Sequence, residues 1–224
     1  MTELRVNAAK STTLRITEIF LSLQGEANTV GYPTVFVRLT GCPLRCQYCD
    51  SAYAFKGGNK YTVADILQKV VDYKVNRVTV TGGEPLAQPG VHELMAALLD
   101  QEFEVSLETS GALSVANVDP RVVKVLDVKT PGSAEVHRNL WGNFAYLQPH
   151  DQIKFVLCSR GDYDWARVQC DQYSLFERAA DVLFSPSHGA IEPRDLADWI
   201  VADRLPVRMQ LQLHKLLWGN EPGR

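Results

Sequence analysis

From residue 14 onward, short β-branched or aromatic runs alternate with stretches of helical period, and few folds accommodate that pattern. Runs at 14–21, 34–39, 77–81, 103–108, 121–128 and 153–157 predict strands, and 62–74, 91–101 and about 162–178 predict helices. Residues 181–184 and 206–212 flank a further helix at roughly 193–203. Thr62 reads as an N-cap with Asp65 three residues on, and Ile66, Leu67, Val70 and Val71 form one apolar face. Leu94, Met95, Leu98 and Leu99 do the same in the second helix. Strands separated by helices imply βαβ units and a parallel sheet in an α/β fold. About six such units are too few for an eight-unit barrel, which leaves a partial (β/α)6-type barrel or an open doubly wound sheet. In both, loops at the C-terminal ends of the strands build the site.

The length, 224 residues, suits a single domain, with a loose polar segment at 1–13 ahead of a core at 14–224. Hydrophobic residues at 46% and charged residues at 22% exclude a disordered or fibrous chain. A net charge of −3 argues against a nucleic-acid partner. No apolar run approaches the ~18 residues of a membrane span, and the N-terminus lacks the apolar region of a secretory signal. The expectation is a cytoplasmic protein with no membrane partner. Its five cysteines are then thiols or metal ligands.

Three of those cysteines, Cys42, Cys46 and Cys49, stand in GCPLRCQYCDS as C-x3-C-x2-C directly after a strand. Structural zinc usually takes four ligands in two close pairs, and no second pair exists. Three soft thiolates suit an iron–sulfur cubane with one iron open to a small molecule. Zinc and reduced structural thiols are the alternatives. One strand further on, TGGEP at 81–85 reads either as a tight turn or as a ligand segment: two glycines admit close approach and Glu84 offers an anion.

Together these motifs resemble the radical S-adenosylmethionine (SAM) enzymes. The resemblance implies a partial (β/α)6-type radical SAM barrel and a 4Fe-4S cluster on Cys42, Cys46 and Cys49. It also implies SAM cleaved by one electron to a 5′-deoxyadenosyl radical. EIFLSLQGEANTVGYPTVFVR at 18–38, ETSG at 108–111, DVKTPGS at 127–133 and QLHK at 212–215 narrow it further. In that order they resemble the 7-carboxy-7-deazaguanine synthase family, although Ala27 stands where that family commonly has Gly. The implied reaction is ring contraction of 6-carboxy-5,6,7,8-tetrahydropterin with loss of ammonia, in queuosine biosynthesis, with Mg2+ required. No protein side chain is assigned as acid or base, because the adenosyl radical makes the abstraction.

Roles implied by the resemblance fall on matching positions. Tyr48, Cys49, Asp50, Gly83, Glu84, Asp127, Val128 and Lys129 fall at SAM contacts, as do Ser185, Pro186, Ser187 and His188. Ser51 falls at Mg2+. Leu23, Gln24, Gly25, Glu26, Arg38, Thr81 and His214 fall at substrate contacts, with Arg38 toward the carboxylate. Read without the family, Gln24 and Glu26 are solvated loop residues, Arg38 is a structural ion pair, Ser51 is a turn residue and His214 is a structural or surface histidine. Lys154 and Glu108 point toward the same barrel mouth as supporting groups. Phe20, Phe36, Trp199 and Trp218 are expected in the core or an interface. The family further implies a homodimer and a flavodoxin or ferredoxin electron donor. Some members use their terminal carboxylate on the substrate; here four residues follow Asn220. A glycyl-radical-enzyme activase and a non-catalytic electron carrier are the competing readings. LQGE and QLHK argue against the first, and GGEP argues against the second.

Overall fold

The computed structural model describes residues 12–219, 221 and 223. Strand β1 (Thr13–Leu23) pairs antiparallel with β2 (Pro33–Leu39) and with β3 (Asn59–Thr62). From β2 the sheet continues in parallel through β4 (Arg77–Gly82), β5 (Glu104–Thr109), β6 (Val123–Val128), β7 (Gln152–Leu157), β8 (Asp181–Pro186) and the short β9 (Arg208–Met209). The order is β3-β1-β2-β4-β5-β6-β7-β8-β9, and among the described residues the two ends do not pair, so the α/β sheet is a partial barrel. Helices α1 (Val63–Asp72), α2 (Val91–Asp100), α3 (Arg160–Gln172) and α4 (Pro193–Asp203) follow β3, β4, β7 and β8.

The local signals explain most of these elements. Thr62 caps α1 through a complete capping box: its hydroxyl accepts from Asp65 N at 3.1 Å, and Asp65 accepts from Thr62 N at 3.2 Å. Val63, Ile66, Leu67 and Val70 face the sheet, whereas Val71 points to solvent. Val91, Leu94, Met95 and Leu98 seat α2, with Leu99 packed at the edge of the same core. Main-sheet strands alternate: Val78, Val80, Val105, Leu107, Ile153 and Phe155 pack into the core under the helices, while Thr79, Ser106, Glu108 and Lys154 turn to the inside of the barrel.

Several expectations are corrected. The strand expected at 14–21 runs antiparallel to its neighbour, so it opens the barrel outside the repeating βα pattern. Thr13 begins β1, and Thr12 Oγ1 donates to Glu93 at 2.5 Å; residues 1–11 lie outside the described residues. No helix is expected between β6 and β7, and no long one forms there. Pro131, Asn139, Gly142 and Pro149 interrupt that segment, and one-turn helices replace it. Trp141 covers the sheet there, stacked on Tyr173 at 4.8 Å and packed on Trp165 at 6.2 Å. The helix expected to 178 stops at Gln172, because Ser174 adopts φ 51°. Within 206–212 only Arg208–Met209 is a strand, and helix α5 (Leu213–Trp218) follows where none was expected.

The loop joining β1 to β2 runs across the open side of the barrel. Gln24 Nε2 donates to Thr79 on β4 at 3.0 Å, Asn28 N donates to Gln152 on β7 at 2.8 Å, and Leu213 N of α5 donates to Gly25 O at 3.0 Å. Gln210 clasps the loop from the far edge: its amide accepts from Ala27 N at 2.9 Å and donates to Ala27 O at 3.1 Å. Ala27 sits at φ 62°, a left-handed conformation that favours glycine. That is the physical content of the Gly-to-Ala departure noted above.

Candidate active site

A cavity of about 630 Å3 opens inside the barrel toward the C-terminal ends of the parallel strands. The loop after β2 supplies Cys42, Cys46, Tyr48, Cys49, Asp50 and Ser51 to its wall. Backbone bonds fold that loop tightly: Cys49 N donates to Cys46 O at 3.2 Å, and Leu44 N donates to Cys42 Sγ at 3.4 Å. It is also tied to the segment after β6, since Gln47 N donates to Ser133 O at 3.1 Å and Arg45 N donates to Glu135 at 2.5 Å. All three cysteines are half-buried thiols. Burial pushes the Cys42 thiol up and the Cys46 thiol up to about 11, while the nearby Lys129 ammonium pulls both back.

Among the described residues no three His, Cys, Asp or Glu side chains converge on one metal-ion position. A cubane asks something else of its ligands, one sulfur to each of three irons, and three soft thiols spread along one cavity wall fit that demand.

Gly82 and Gly83 are needed for close packing. A Cβ on Gly83 would fall 2.4 Å from Gly41 O and 2.7 Å from Cys42 Cβ; one on Gly82 would fall 2.6 Å from Leu39 O. The glycines thus press the end of β4 against the cysteine loop, and Gly83 lines the cavity. Glu84 does not. It is fully buried, and its carboxylate accepts from Leu86 N at 3.0 Å, Thr109 Oγ1 at 2.9 Å, Ser110 N at 2.7 Å and Ser110 Oγ at 2.5 Å. The expected free anion instead fastens the β4 loop to the β5 loop.

Strand alternation sorts the β6 end. Asp127 and Lys129 line the cavity and pair at 3.0 Å, while Val128 faces the core between them. Burial opposes the charge on Lys129, yet the Asp127 carboxylate holds its pKa above the usual value. Its ammonium lies 5.9 Å from the Tyr48 ring centroid, and burial drives the Tyr48 phenol upward. At β8, Ser187 and His188 line the cavity, whereas Ser185 and Pro186 are buried in the strand behind it.

The inner side of the cavity holds Leu23, Gln24, Gly25, Glu26, Arg38, Thr81 and His214. Arg38 Nε donates to Glu18 at 2.7 Å, between Phe20 and Tyr53, whose ring centroids lie 6.0 and 5.8 Å from its guanidinium carbon. Phe20 and Phe36 stack at 5.1 Å and form cavity wall, where core or interface had been expected; Trp199 is core-packed against Tyr163. Thr81 Oγ1 donates to Glu108 at 3.0 Å. His214 packs where a Cβ of Gly25 would sit, so residue 25 must be glycine for α5 to close here. Burial lowers the His214 pKa. Gly219, Glu221 and Gly223 reach the wall; 220, 222 and 224 lie outside the described residues.

A buried charge cluster was under-read from the sequence. Lys154 on β7 forms an ion pair with Glu26, and Gln212 Nε2 donates to Glu26 at 2.8 Å. Against the burial that would raise it, these partners hold Glu26 below the usual carboxylate range. Lys154 is likewise held above its ordinary value, despite burial, by Glu26, Asp127 and Glu108. Glu108 moves up, through burial and the neighbouring Glu26 charge. The available signal was a lone charge in each of two apolar strands, IKFVL and VSLET. Gln210 carried no such mark, and Gln212 stood in the QLHK run without a role of its own.

Comparison with known proteins matches residues 36–127, from β2 into β6, to the Radical SAM superfamily. The crystal structure of QueE from Escherichia coli superposes with a TM-score of 0.71 at 21% identity, covering 90% of this chain and 95% of that one. Streptococcus suis SuiB bound to S-adenosylmethionine gives 0.54 at 15% identity, over 77% of this chain and 44% of that one. Fold, cysteine loop and superfamily match define the class: a radical SAM enzyme, with a 4Fe-4S cluster and SAM as its cofactors. Three proteins named 7-carboxy-7-deazaguanine synthase are close in sequence. The Chlorobaculum tepidum protein is 44% identical over 92% of this chain and 94% of its own length. That from Koribacter versatilis is 43% identical over 93% and 98%, and that from Methanospirillum hungatei JF-1 is 38% identical over 94% and 88%. The chain belongs to the 7-carboxy-7-deazaguanine synthase family. Among the described residues no helix is long and apolar enough to cross a membrane.

Proposed function

We propose that this chain catalyses the ring contraction of 6-carboxy-5,6,7,8-tetrahydropterin to 7-carboxy-7-deazaguanine with loss of ammonia, and that its cavity residues divide that work between two ends. The observation that carries the reading is one cavity with thiols on its outer wall and a ring of hydrogen-bonding and charged groups within. Cys42, Cys46 and Cys49 are the cluster ligands. When bound, the cluster and SAM supply the one-electron chemistry that generates a radical able to take a hydrogen atom from the substrate.

Tyr48, Asp50, Gly83, Asp127, Lys129, Ser187 and His188 surround the SAM end. Lys129 suits a carboxylate, and Asp127 and Asp50 suit an ammonium or hydroxyls. At the inner end Arg38 faces the substrate carboxylate. Gln24, Glu26, Thr81 and His214 present the mixed donors and acceptors that a guanine-like ring requires. Ser51, whose Oγ donates to Asp50 Oδ1 at 3.2 Å, offers Mg2+ a hard oxygen beside a carboxylate. Enclosure by the β1–β2 loop and α5 keeps water from the reacting carbon. The same reading includes a homodimer and electron delivery by flavodoxin or ferredoxin.

The test is anaerobic. Protein reconstituted with iron and sulfide is given SAM, Mg2+, dithionite and 6-carboxytetrahydropterin, and product is sought by mass spectrometry. SAM-dependent formation of 7-carboxy-7-deazaguanine supports the proposal. Release of 5′-deoxyadenosine without product retains the class and refutes the substrate.

A further inference from the structure

Gln212 opens the QLHK run, in which His214 is the residue given to the substrate and Gln212 has no role of its own. It is the N-cap residue of α5, and its side chain makes no bond to the helix it starts. The carboxamide reaches across the mouth instead. One Nε2 donates 2.8 Å to Glu26 Oε1 and 3.1 Å to Asp50 Oδ2, so both amide hydrogens are spent on carboxylates. Those carboxylates are neighbours carried by different loops: Glu26 lies in the loop that crosses the barrel, on the side given to the pterin, and Asp50 directly follows the last cysteine of the outer loop, on the side given to SAM.

The neighbours of Gln212 make the same connection. Leu213 N donates to Gly25 O at 3.0 Å, and Lys215 Nζ lies 3.5 Å from Asp50. Each carboxylate also has its own cation, Lys154 for Glu26 and Lys215 for Asp50, so neither needs Gln212 for neutralisation. What the amide adds is a fixed relation between two anions that would otherwise repel. A neutral group that donates to both allows them to share a mouth, and any movement of one is felt by the other.

We propose that Gln212 is a positioning residue that couples the two ends of the cavity, so that filling the pterin end orders Asp50 for SAM, and SAM in turn orders Glu26 for the pterin. The proposal rests on the assignment of those ends given above. Coupling of this kind is reciprocal: each ligand tightens the other by one and the same factor.

The experiment measures binding without turnover. Cluster-loaded protein, without reductant, is titrated with SAM in the absence and presence of saturating 7-carboxy-7-deazaguanine, and the reverse titration is run alongside. The wild-type protein is expected to bind SAM more tightly by about tenfold when the second ligand is present. Gln212→Met keeps length and shape but donates nothing. Its coupling factor is expected to fall to about one, with each ligand's separate affinity changed by no more than about threefold. Gln212→Asn, a good N-cap residue too short to reach both carboxylates, is expected to behave the same way and serves if the Met variant does not fold. Undiminished coupling in either folded variant overturns the proposal. So does equal collapse of both separate affinities with native iron content and melting temperature, because that marks a merely structural cap. Wild-type protein that binds both ligands with no coupling also refutes it and leaves the proposed reaction standing. Wild-type protein that binds SAM but no deazaguanine or pterin refutes the substrate assignment instead.

Discussion

Replacing Lys154 with Met tests whether the buried charge cluster is arranged as described. The Met side chain retains the apolar stem, so packing on β7 is preserved and the lost ammonium is the perturbation. Glu26 then remains in a site where its side chain is 12% exposed, with Gln212 as its remaining strong donor. Removing one partner of a buried pair costs about 3–5 kcal/mol, and water admitted by the cavity puts the expected loss near the lower figure, about 3 kcal/mol. For a chain of this size that is a fall of roughly 6–12 °C in melting temperature. The pH dependence follows from the two directions. Glu26 is held below its ordinary 4.5, so its contribution is present above that value and lost as pH falls through the lower folded value. Lys154 is held above its ordinary 10.5, so its contribution is full below that value and lost as pH rises through the higher folded one. The deficit of Lys154→Met should therefore be largest from neutral pH up to about 10 and shrink as pH falls, starting where the stranded Glu26, which burial now raises without Lys154 to oppose it, takes up a proton. Adding Glu26→Gln removes the stranded charge and should restore the protein to within about 1 kcal/mol of wild type. Glu26→Gln alone should cost less than Lys154→Met, because Lys154 still faces Glu108 and Asp127. Melting followed by calorimetry across pH decides the matter. A Lys154→Met protein that melts within about 2 °C of wild type, or a deficit that Glu26→Gln does not repair, would refute the reasoning.

Four further outcomes follow from the same structure. Ala27→Gly should be close to neutral in urea denaturation: relief of about 1–2 kcal/mol of left-handed strain offsets glycine's entropy and one lost methyl, whereas a loss above about 2 kcal/mol would show no strain to relieve. Glu84→Gln places an NH2 against donors from Leu86, Thr109 and Ser110, so stability should fall by about 2–3 kcal/mol, seen as a melting drop of roughly 5–10 °C. Arg38→Ala should weaken pterin binding by tenfold or more, about 1.4 kcal/mol, and SAM binding by less than about threefold; equal losses measured by titration would contradict the carboxylate role. Ser51→Ala should move the Mg2+ titration of activity to higher concentration with unchanged melting, and an unmoved titration would make Ser51 a turn residue.

The legible part of the site was the part built from consecutive residues. Cys42, Cys46 and Cys49, Gly83 and the LQGE run all line the cavity, because a loop at a strand's C-terminal end carries its whole motif to one place. Helices α1 to α4 were legible for a related reason: their apolar faces, and the side-chain caps of α1 and α3, are set within a turn or two of chain. Side-chain direction was less legible. Val128 sits between two cavity residues in the motif DVKT yet faces the core, as the strand period of two requires. Glu84 occupies a motif position, but its destination depends on Thr109 and Ser110, about 25 residues on in the chain and one strand away in space.

What escaped the sequence altogether is how the partial barrel is closed. An open parallel sheet leaves two edges, and here the loop between β1 and β2 is held by amides from the far side of the barrel: Gln152 and Gln210 bind the backbone of Asn28 and Ala27, and Gln212 binds Glu26. Gln152 and Gln210 have no periodicity and no charge to betray them, Gln212 showed only as the first residue of QLHK, and each of the three makes its contact across more than 100 residues of chain. The same closure explains why the buried charges can exist. Glu26 arrives on the crossing loop and meets Lys154, which waits on β7 beside Glu108 and Asp127. Without the loop, that lysine would face two carboxylates on an open surface. With it, the cluster becomes the inner lining of a cavity, and the ordering of the loop by the distant amides is what converts a sheet with an edge into a site with an inside.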